Sequence, residues 1–315
     1  MLLCVMTPLF PSRRRFLGLA GAGTLFAALP AWSQANTVSA RLATECYIWS
    51  QYFEAHQLSL VEGLPQMFAG LGAAGYRRLE IAGSWLTPEL LPLALRLSRR
   101  YGITMPFVYD DGVMHQREGA DKTIASVSAL VDRIQKPLGL EAIVFNPAFK
   151  PQDASKTDAE LATQADALNR LGEALKKRGL RLFVHAHAPE MHGHAREWRY
   201  NLHHTDPALV SICADVNWFF MGGADPLELL REAGPRVASM HIRNSSRSVW
   251  LESLDESTRP LDVDYNAVAT LLRQERITPW LVVELAYSPK TQVTRSLQQD
   301  LLRSRLWTER IFRRV

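Results

Sequence analysis

Several apolar runs in this chain end in residues that can bind a metal ion or move a proton. In the second half of the chain these residues are His185 with His187, then Asp215, His241 and Glu284. Two imidazoles and two carboxylates form a mixed nitrogen and oxygen set, which suits Mn²⁺, Co²⁺, Fe²⁺ or Zn²⁺ better than Ca²⁺. A single member could be a helix cap, an ion-pair partner or a hydrogen-bonded core histidine. Four of them buried together without a cation would be electrostatically costly, so the pattern predicts a divalent-metal site.

The elements that would carry these residues alternate between short, apolar, β-rich runs and longer helical segments. Runs with few charges are typical of parallel strands that are covered by helices. Eight such runs predict strands over residues 42–49, 78–82, 104–109, 142–146, 181–187, 210–216, 237–242 and 280–285.

The intervening segments have helical periodicity with start and stop signals. Thr87-Pro88-Glu89 opens a helix that stops at Gly102, and the amphipathic segment 158–178 stops at Gly179. Asp225 and Asp264 have the positions of helix caps. Further helices are predicted over residues 64–71, 227–233, 265–274 and 294–313.

Eight β–α pairs predict an α/β fold, a single (β/α)₈ TIM barrel that spans residues 36–315. The alternative is an open doubly wound sheet, which usually carries a glycine-rich phosphate loop after an early strand. The segment 70–75 matches GxGxxG only as a string, because it ends a helix and precedes a strand. The closed barrel is therefore the favoured architecture.

Catalytic groups of such barrels lie where the strands end and the βα loops begin. Glu80 has that position on the second strand and is, with His187 and Glu284, a candidate base. Alternate residues of a strand point to the same face of the sheet. His185 and His187 should therefore share one face, and so should His241 and Arg243. The aromatic side chains near strand ends that could stack on a substrate are Trp49 and Trp218, although core packing would explain either one. Four further histidines are predicted to be solvated loop residues: His192, His194, His203 and His204.

The first 35 residues resemble an export signal. Ser12-Arg13-Arg14-Arg15-Phe16-Leu17 is a twin-arginine pattern, and an apolar stretch over residues 17–29 precedes a small-residue cleavage site at Ala35. Thirteen apolar residues are fewer than the ~20 that span a bilayer. We therefore predict a cleaved twin-arginine signal peptide over residues 1–35, periplasmic localisation and no stable membrane anchor.

Charge and cysteine content exclude several classes of protein. Without the three arginines of the predicted signal, the chain has 33 basic and 32 acidic side chains, so nothing indicates binding to nucleic acid. Only Cys46 and Cys213 remain after cleavage, which allows one disulfide but no disulfide-based scaffold. The sequence leaves open whether the protein is a monomer or a homo-oligomer.

Over nearly the whole mature length the chain resembles the xylose isomerase-like superfamily of sugar phosphate isomerases and epimerases. The His-x-His sequence at residues 185–187 is similar to a branch that has this motif in place of the commoner Glu-Asn-His. The segments that carry the resemblance are residues 76–81, 180–187, 214–218, 223–226, 241–244, 261–265 and 280–284.

The resemblance implies that His185, Asp215, His241 and Glu284 bind the metal, and that His187 lies one layer higher, towards substrate. Residues near these strand ends are further predicted to contact the substrate, namely Glu190, Arg243 and Asn244 together with Trp49 and Trp218. The chain departs from the usual family pattern at two places that bear on the reaction. His185 stands where the usual residue is glutamate, and Asn217-Trp218 stands where many members have a histidine.

The function that follows is a metal-dependent isomerase or epimerase acting on a non-phosphorylated keto- or hydroxy-sugar. Proton abstraction next to a carbonyl would give a metal-bound enediolate, and Arg243 would steady the developing oxyanion. Loss of a β-oxygen instead would make the protein a keto-sugar lyase or dehydratase. The same residues would also be compatible with a non-catalytic periplasmic carbohydrate-binding protein or with a metal-dependent hydrolase.

Overall fold

A computed structural model describes residues 38–255 and 260–315 of the chain. The predicted signal peptide, with Arg13 and Arg14, lies outside the described residues. Within them, no helix is both long and apolar enough to cross a membrane.

Eight parallel strands close into a barrel, which confirms the predicted (β/α)₈ fold. Around the barrel the strands follow the order β1-β10-β7-β6-β5-β4-β3-β2, and β8 and β9 form a separate hairpin. The strands are β1 (Leu42–Glu45), β2 (Arg78–Ala82), β3 (Thr104–Gly112), β4 (Ala142–Pro147), β5 (Arg181–Val184), β6 (Val210–Asp215), β7 (Val237–Ile242), β8 (Ser245–Ser246), β9 (Val249–Trp250) and β10 (Trp280–Val283).

Helices follow the barrel strands and cover their outer side. Capping boxes begin three of these helices, at Ser59, Thr157 and Ser296, where each side chain accepts a hydrogen bond from the third residue of its helix. The helices are α1 (Tyr47–Ala55), α2 (Leu60–Ala73), α3 (Leu91–Tyr101), α4 (Arg117–Leu138), α5 (Asp158–Lys176), α6 (His192–His204), α7 (Val216–Met221), α8 (Pro226–Ala233), α9 (Tyr265–Gln274) and α10 (Leu297–Ile311).

Three differences from the predicted elements bear on the site. The first strand ends at Glu45 instead of residue 49, and the following residues form helix α1 because Trp49 and Phe53 bury a helical face against the core. Strand β5 ends at Val184, so both histidines of the His-x-His motif lie just beyond it. The four histidines predicted in a loop lie within α6, whose early residues Gly193, His194 and Ala195 have positive φ.

Two layers of apolar side chains hold the barrel together. Inward-facing residues such as Phe107, Val144 and Phe183 fill the interior, and a larger cluster packs the strands against the helices. Cys213 belongs to the interior layer and Cys46 to the outer one, and both thiols are buried and unpaired. The disulfide that the sequence allowed is therefore not formed.

Candidate active site

Four polar side chains converge at the end of the barrel where the strands terminate. Asp215 is the last residue of β6 and is in register with His241 of β7. Glu284 follows β10 and donates its backbone N–H to Ile242, whereas His185 follows β5. All four side chains are less than 10% exposed, and one ligand atom from each lies within 4.8 Å of the others.

Each of these residues has one buried polar atom that makes no hydrogen bond. The four atoms are His185 Nε2, Asp215 Oδ2, His241 Nδ1 and Glu284 Oε2. Buried polar groups are nearly always satisfied, so four orphaned atoms at one point favour a common partner, in addition to the 3.1 Å ion-pair contact between Asp215 Oδ2 and Arg243 Nε. His241 Nδ1 approaches Glu284 Oε2 to 2.6 Å without hydrogen-bond alignment. A first-row divalent cation fits this nitrogen and oxygen donor set.

The electrostatics around His241 also favour a positive charge at this point. Burial alone would lower the pKa of His241, but Cys213, Glu80 and Glu284 together raise it well above its ordinary value. Burial opposes ionisation of Glu284 as well, yet Arg243 and His241 hold the pKa of that carboxyl far below its usual range. A buried cation, whether a proton or a metal ion, therefore stabilises this group of side chains.

A carboxylate lies behind His241, on the side away from the cavity. Glu80 Oε1 is 3.0 Å from His241 Nε2, and the Glu80 side chain is fully buried. Glu80, which the sequence suggested as a candidate base, is not among the residues that line the cavity and instead contacts His241.

One amide oxygen contacts both histidines of the His-x-His motif. Asn146 Oδ1 is 3.3 Å from His185 Nδ1 and 3.1 Å from His187 Nδ1. The Asn146 amide nitrogen donates to the Pro147 carbonyl, which orients the amide so that its oxygen accepts from both rings. Each imidazole then carries its proton on Nδ1 and keeps a lone pair on Nε2.

Arg243 is the buried cation beside the candidate metal ligands. Its Nε lies 3.1 Å from Asp215 Oδ2, and its Nη2 pairs with Glu284 Oε1. The guanidinium lies over the rings of Trp218 and Trp250, 5.1 and 5.2 Å from their centroids. Ion pairs and cation–π contacts thus hold Arg243 at the cavity wall, in the position predicted for an oxyanion partner.

Above this group lies a cavity of about 510 Å³. His187 lines it next to Trp218, with ring centroids 5.3 Å apart. Burial, and then the charges of His185 and Arg243, lower the pKa of His187 to about 3, so its imidazole is neutral at neutral pH. A neutral imidazole with a free Nε2 can accept a proton.

Sequence reasoning missed much of the cavity wall, including its acidic residues Glu45, Asp110 and Asp111 and its aromatic residues Tyr47, Trp85, Tyr109 and Trp250. Glu45 is 5% exposed, and burial, then Glu284 and Glu80, raise its pKa to about 8. Its carboxylate accepts from Cys46 Sγ at 3.2 Å and from the Tyr47 backbone. The signal was present, because Glu45 ends the first strand, but the predicted strand was four residues too long.

Three predicted substrate contacts lie away from the cavity. Trp49 is 4% exposed and packs in the core against Tyr52 and Phe53. Asn244 holds its own loop, since its side chain bonds to the backbone of Ser245 and Val263. Glu190 is also buried.

Glu190 contacts the backbone of His187. Its Oε2 accepts from the His187 backbone N–H at 3.1 Å. Burial, and then the nearby charge of Glu197, raise the pKa of Glu190 to about 8.

Comparison with known proteins gives the family. Residues 74–305 match the model of the family described as "Xylose isomerase-like TIM barrel". An inosose dehydratase of Bacillus anthracis is 25% identical over 227 residues, which cover 68% of this chain and 71% of that protein.

Two solved structures share the fold. The D-allulose 3-epimerase from Methylomonas sp., in complex with D-allulose, has a TM-score of 0.66 at 15% identity and covers 86% of this chain and 96% of its own. The 3-keto-D-glucoside 4-epimerase from E. coli has a TM-score of 0.63 at 14% identity and covers 86% of this chain and 99% of its own. By the family match, which spans most of its length, this chain belongs to the xylose isomerase-like TIM barrel family.

Proposed function

We propose that this protein is a metal-dependent epimerase or isomerase of a keto- or hydroxy-sugar. The observation that carries the proposal is the convergence of four orphaned ligand atoms, from His185, Asp215, His241 and Glu284, beneath a cavity. These residues would hold the ion, which is Mn, Co, Fe or Zn by the chemistry of the donor set. When bound there, such an ion supplies Lewis acidity to adjacent carbonyl and hydroxyl oxygens of a sugar.

Two proton-transfer groups face each other across the cavity. In the order of strands around the barrel, β5 is diametrically opposite β1. His187 follows β5 and Glu45 ends β1, so the two side chains approach a sugar carbon from opposite sides. At neutral pH the His187 imidazole is neutral and has a lone pair on Nε2 to accept a proton, whereas the raised pKa of Glu45, about 8, favours the protonated carboxyl that can donate one.

This arrangement suits inversion at a carbon next to a carbonyl. His187 Nε2 removes the proton from one face, and the Glu45 carboxyl delivers a proton to the other face. Arg243 donates hydrogen bonds to the oxygen on which negative charge develops. Trp218 and Trp250 hold the guanidinium in place and shield it from water.

A dehydratase is the second candidate, because the curated relatives that match over two thirds of the chain are inosose dehydratases. It would use the same first step on the same residues. Glu45 would then protonate the departing β-oxygen instead of carbon.

The test is metal analysis of the purified protein, followed by incubation of keto-sugars in D₂O. We expect about one divalent ion per chain and deuterium at the carbon next to the carbonyl, with an inverted or isomerised product. Formation of an unsaturated or cleaved product would favour the dehydratase or lyase. Saturable binding without deuterium incorporation would indicate a carbohydrate-binding protein, and oxygen from labelled water in the product would indicate a hydrolase.

A further inference from the structure

The cavity has two sides that differ in charge. Strand β3 lies diametrically opposite β7 in the barrel. The β7 side carries His241 and Arg243, whereas Asp110 and Asp111 of β3 line the wall across from them. We call the wall formed by β2, β3 and the start of α1 the distal side, because β2 and β3 lie across the barrel from β6 and β7, which carry Asp215 and His241.

On the distal side every charged residue that lines the cavity is acidic. Arg243 is the one lysine or arginine among the described lining residues, and it is already paired with Asp215 and Glu284. Within residues 38–255 and 260–315, neither Asp110 nor Asp111 is paired with a lysine or arginine. Burial raises the pKa of both carboxyls, that of Asp110 to about 6.

Two carboxylates without a basic partner disfavour a phosphate group and favour hydroxyl groups. A phosphate dianion placed against them would meet like charges in a partly desolvated site, where the repulsion is poorly screened. Sugar hydroxyls, in contrast, donate hydrogen bonds to carboxylate oxygens, and such charge-assisted bonds are strong.

The distal side also offers aromatic surface. Trp85 follows β2, is partly exposed, and packs against Phe53 with ring centroids 5.6 Å apart. Tyr47 at the start of α1 is 42% exposed. Aromatic faces beside hydrogen-bonding groups provide an apolar surface for the C–H face of a sugar ring.

The cavity has more room than the reacting sugar needs. Its volume of about 510 Å³ is within the range of about 300–1,000 Å³ that is typical of pockets for drug-sized ligands. A single hexose is smaller than such ligands. Bound at the β7 side, it would leave the distal side to another part of the same molecule.

We infer that the substrate is a neutral glycoside, in which a second, uncharged ring occupies the distal side against Trp85, Asp110 and Asp111. The assignment of the reacting ring to the β7 side rests on the proposed function. The size, aromatic surface and charge of the distal side do not depend on it.

Calorimetric titration of the intact protein tests this inference with three probes: D-glucose, phenyl β-D-glucopyranoside and glucose 6-phosphate. We expect the phenyl glucoside to bind about tenfold more tightly than glucose, and glucose 6-phosphate to bind about tenfold more weakly. Equal affinity for glucose and its phenyl glucoside would overturn the inference that the distal side binds a second ring. Binding of glucose 6-phosphate as tight as that of glucose would overturn the inference that the substrate is uncharged.

Variants test whether the distal side causes the preference for glucose over glucose 6-phosphate. In the double variant Asp110→Asn/Asp111→Asn the affinity gap between glucose and glucose 6-phosphate should shrink by at least about threefold. Asp166→Asn, which changes an exposed acid on α5, is the matched control and should keep the gap. Thermal unfolding identifies the folded variants, and Trp85→Leu should lower the preference for the phenyl glucoside. A gap that persists in the folded double variant would contradict the role of the two aspartates.

Failure of the inference can be told apart from failure of the proposed function. The three probes measure binding without turnover, so their ranking stands even if no keto-sugar exchanges deuterium. Conversely, deuterium exchange that is faster with a phosphorylated keto-sugar than with a neutral keto-glycoside would retain the function and reject the inference.

Discussion

Glu80 Oε1 lies 3.0 Å from His241 Nε2, with both side chains almost completely buried. Because Nε2–H donates to this carboxylate, Nδ1 is the nitrogen that remains to bind a proton or the proposed metal ion, and Nδ1 is the atom that faces Glu284. Carboxylates in this relationship orient metal-binding histidines and increase their basicity. Glu80 is therefore a positioning residue for His241.

The first prediction concerns this carboxylate. Glu80→Gln should lower metal affinity by about 10–100-fold, because the amide cannot accept the Nε2 proton with the strength of a carboxylate. Competition with a chromogenic chelator at fixed pH measures the affinity. Glu45→Gln is the control, since Glu45 is in register with Glu80 but bonds to Cys46 and Tyr47. Equal affinities for the two variants would argue against the positioning role.

The second prediction separates two roles of Asp215. Its Oδ1 accepts from the backbone of Asn217 and Trp218 and caps α7, whereas its Oδ2 is the orphaned atom. Asp215→Asn should keep the cap but lose bound metal. Asp215→Ala should lose the metal and also about 1 kcal/mol of unfolding free energy in the metal-free protein. Metal analysis and urea unfolding measure the two effects, and stoichiometric metal in both variants would show that Asp215 is not a ligand.

The third prediction distinguishes the two histidines after β5. His185→Ala should lose metal, because it removes the orphaned Nε2. His187→Ala should retain the metal but slow carbon-bound deuterium exchange by roughly 10²–10⁴, the usual effect of a general acid–base group. Reversed phenotypes would mean that the roles are exchanged. Full activity of His187→Ala would indicate that Glu45 or Glu284 is the base instead.

The fourth prediction is a pH dependence of stability. The pKa of Glu190, raised to about 8 by burial and Glu197, lies above the ordinary carboxyl value. Between these values the folded protein binds more protons than the unfolded chain, so Glu190 makes stability fall as pH rises. Glu190→Gln should therefore be more stable than the parent at pH 8.5, by more than about 1.4 kcal/mol, and nearly equal at pH 4. Urea unfolding measures both, and Glu118→Gln, an exposed change on α4, should show no such pH-dependent gain.

The fifth prediction concerns export, which we propose from the twin arginines. Changing Arg13 and Arg14 to lysine should retain the precursor in the cytoplasm. Arg15→Lys, which leaves the pair intact, is the matched control and should still be exported. Cell fractionation measures the distribution, and periplasmic delivery of the double variant would reject this route.

The order of elements and the identity of the rim residues could be predicted from the sequence. Alternating apolar runs and capped helices dictate a parallel barrel, and parallel strands of a barrel bring their carboxyl ends to one rim. Polar residues that close those runs, such as Asp215 and His241, must then lie near one another. The local sequence pattern and the connectivity of the chain are therefore enough to predict which residues meet at this rim.

The direction of each side chain was decided by the tertiary structure. Glu45 and Glu80 are paired in register on neighbouring strands, yet Glu45 lines the cavity and Glu80 lies beneath His241. Successive residues of a strand point to opposite faces, but this alternation stops where the strand ends, so an error in that position redirects the side chains beyond it. Trp49 shows the consequence, because a helix begins where a continuing strand was predicted and takes the ring into the core. Which strands face each other, and thus that His187 opposes Glu45, depends on closure of the whole barrel, which no local segment encodes.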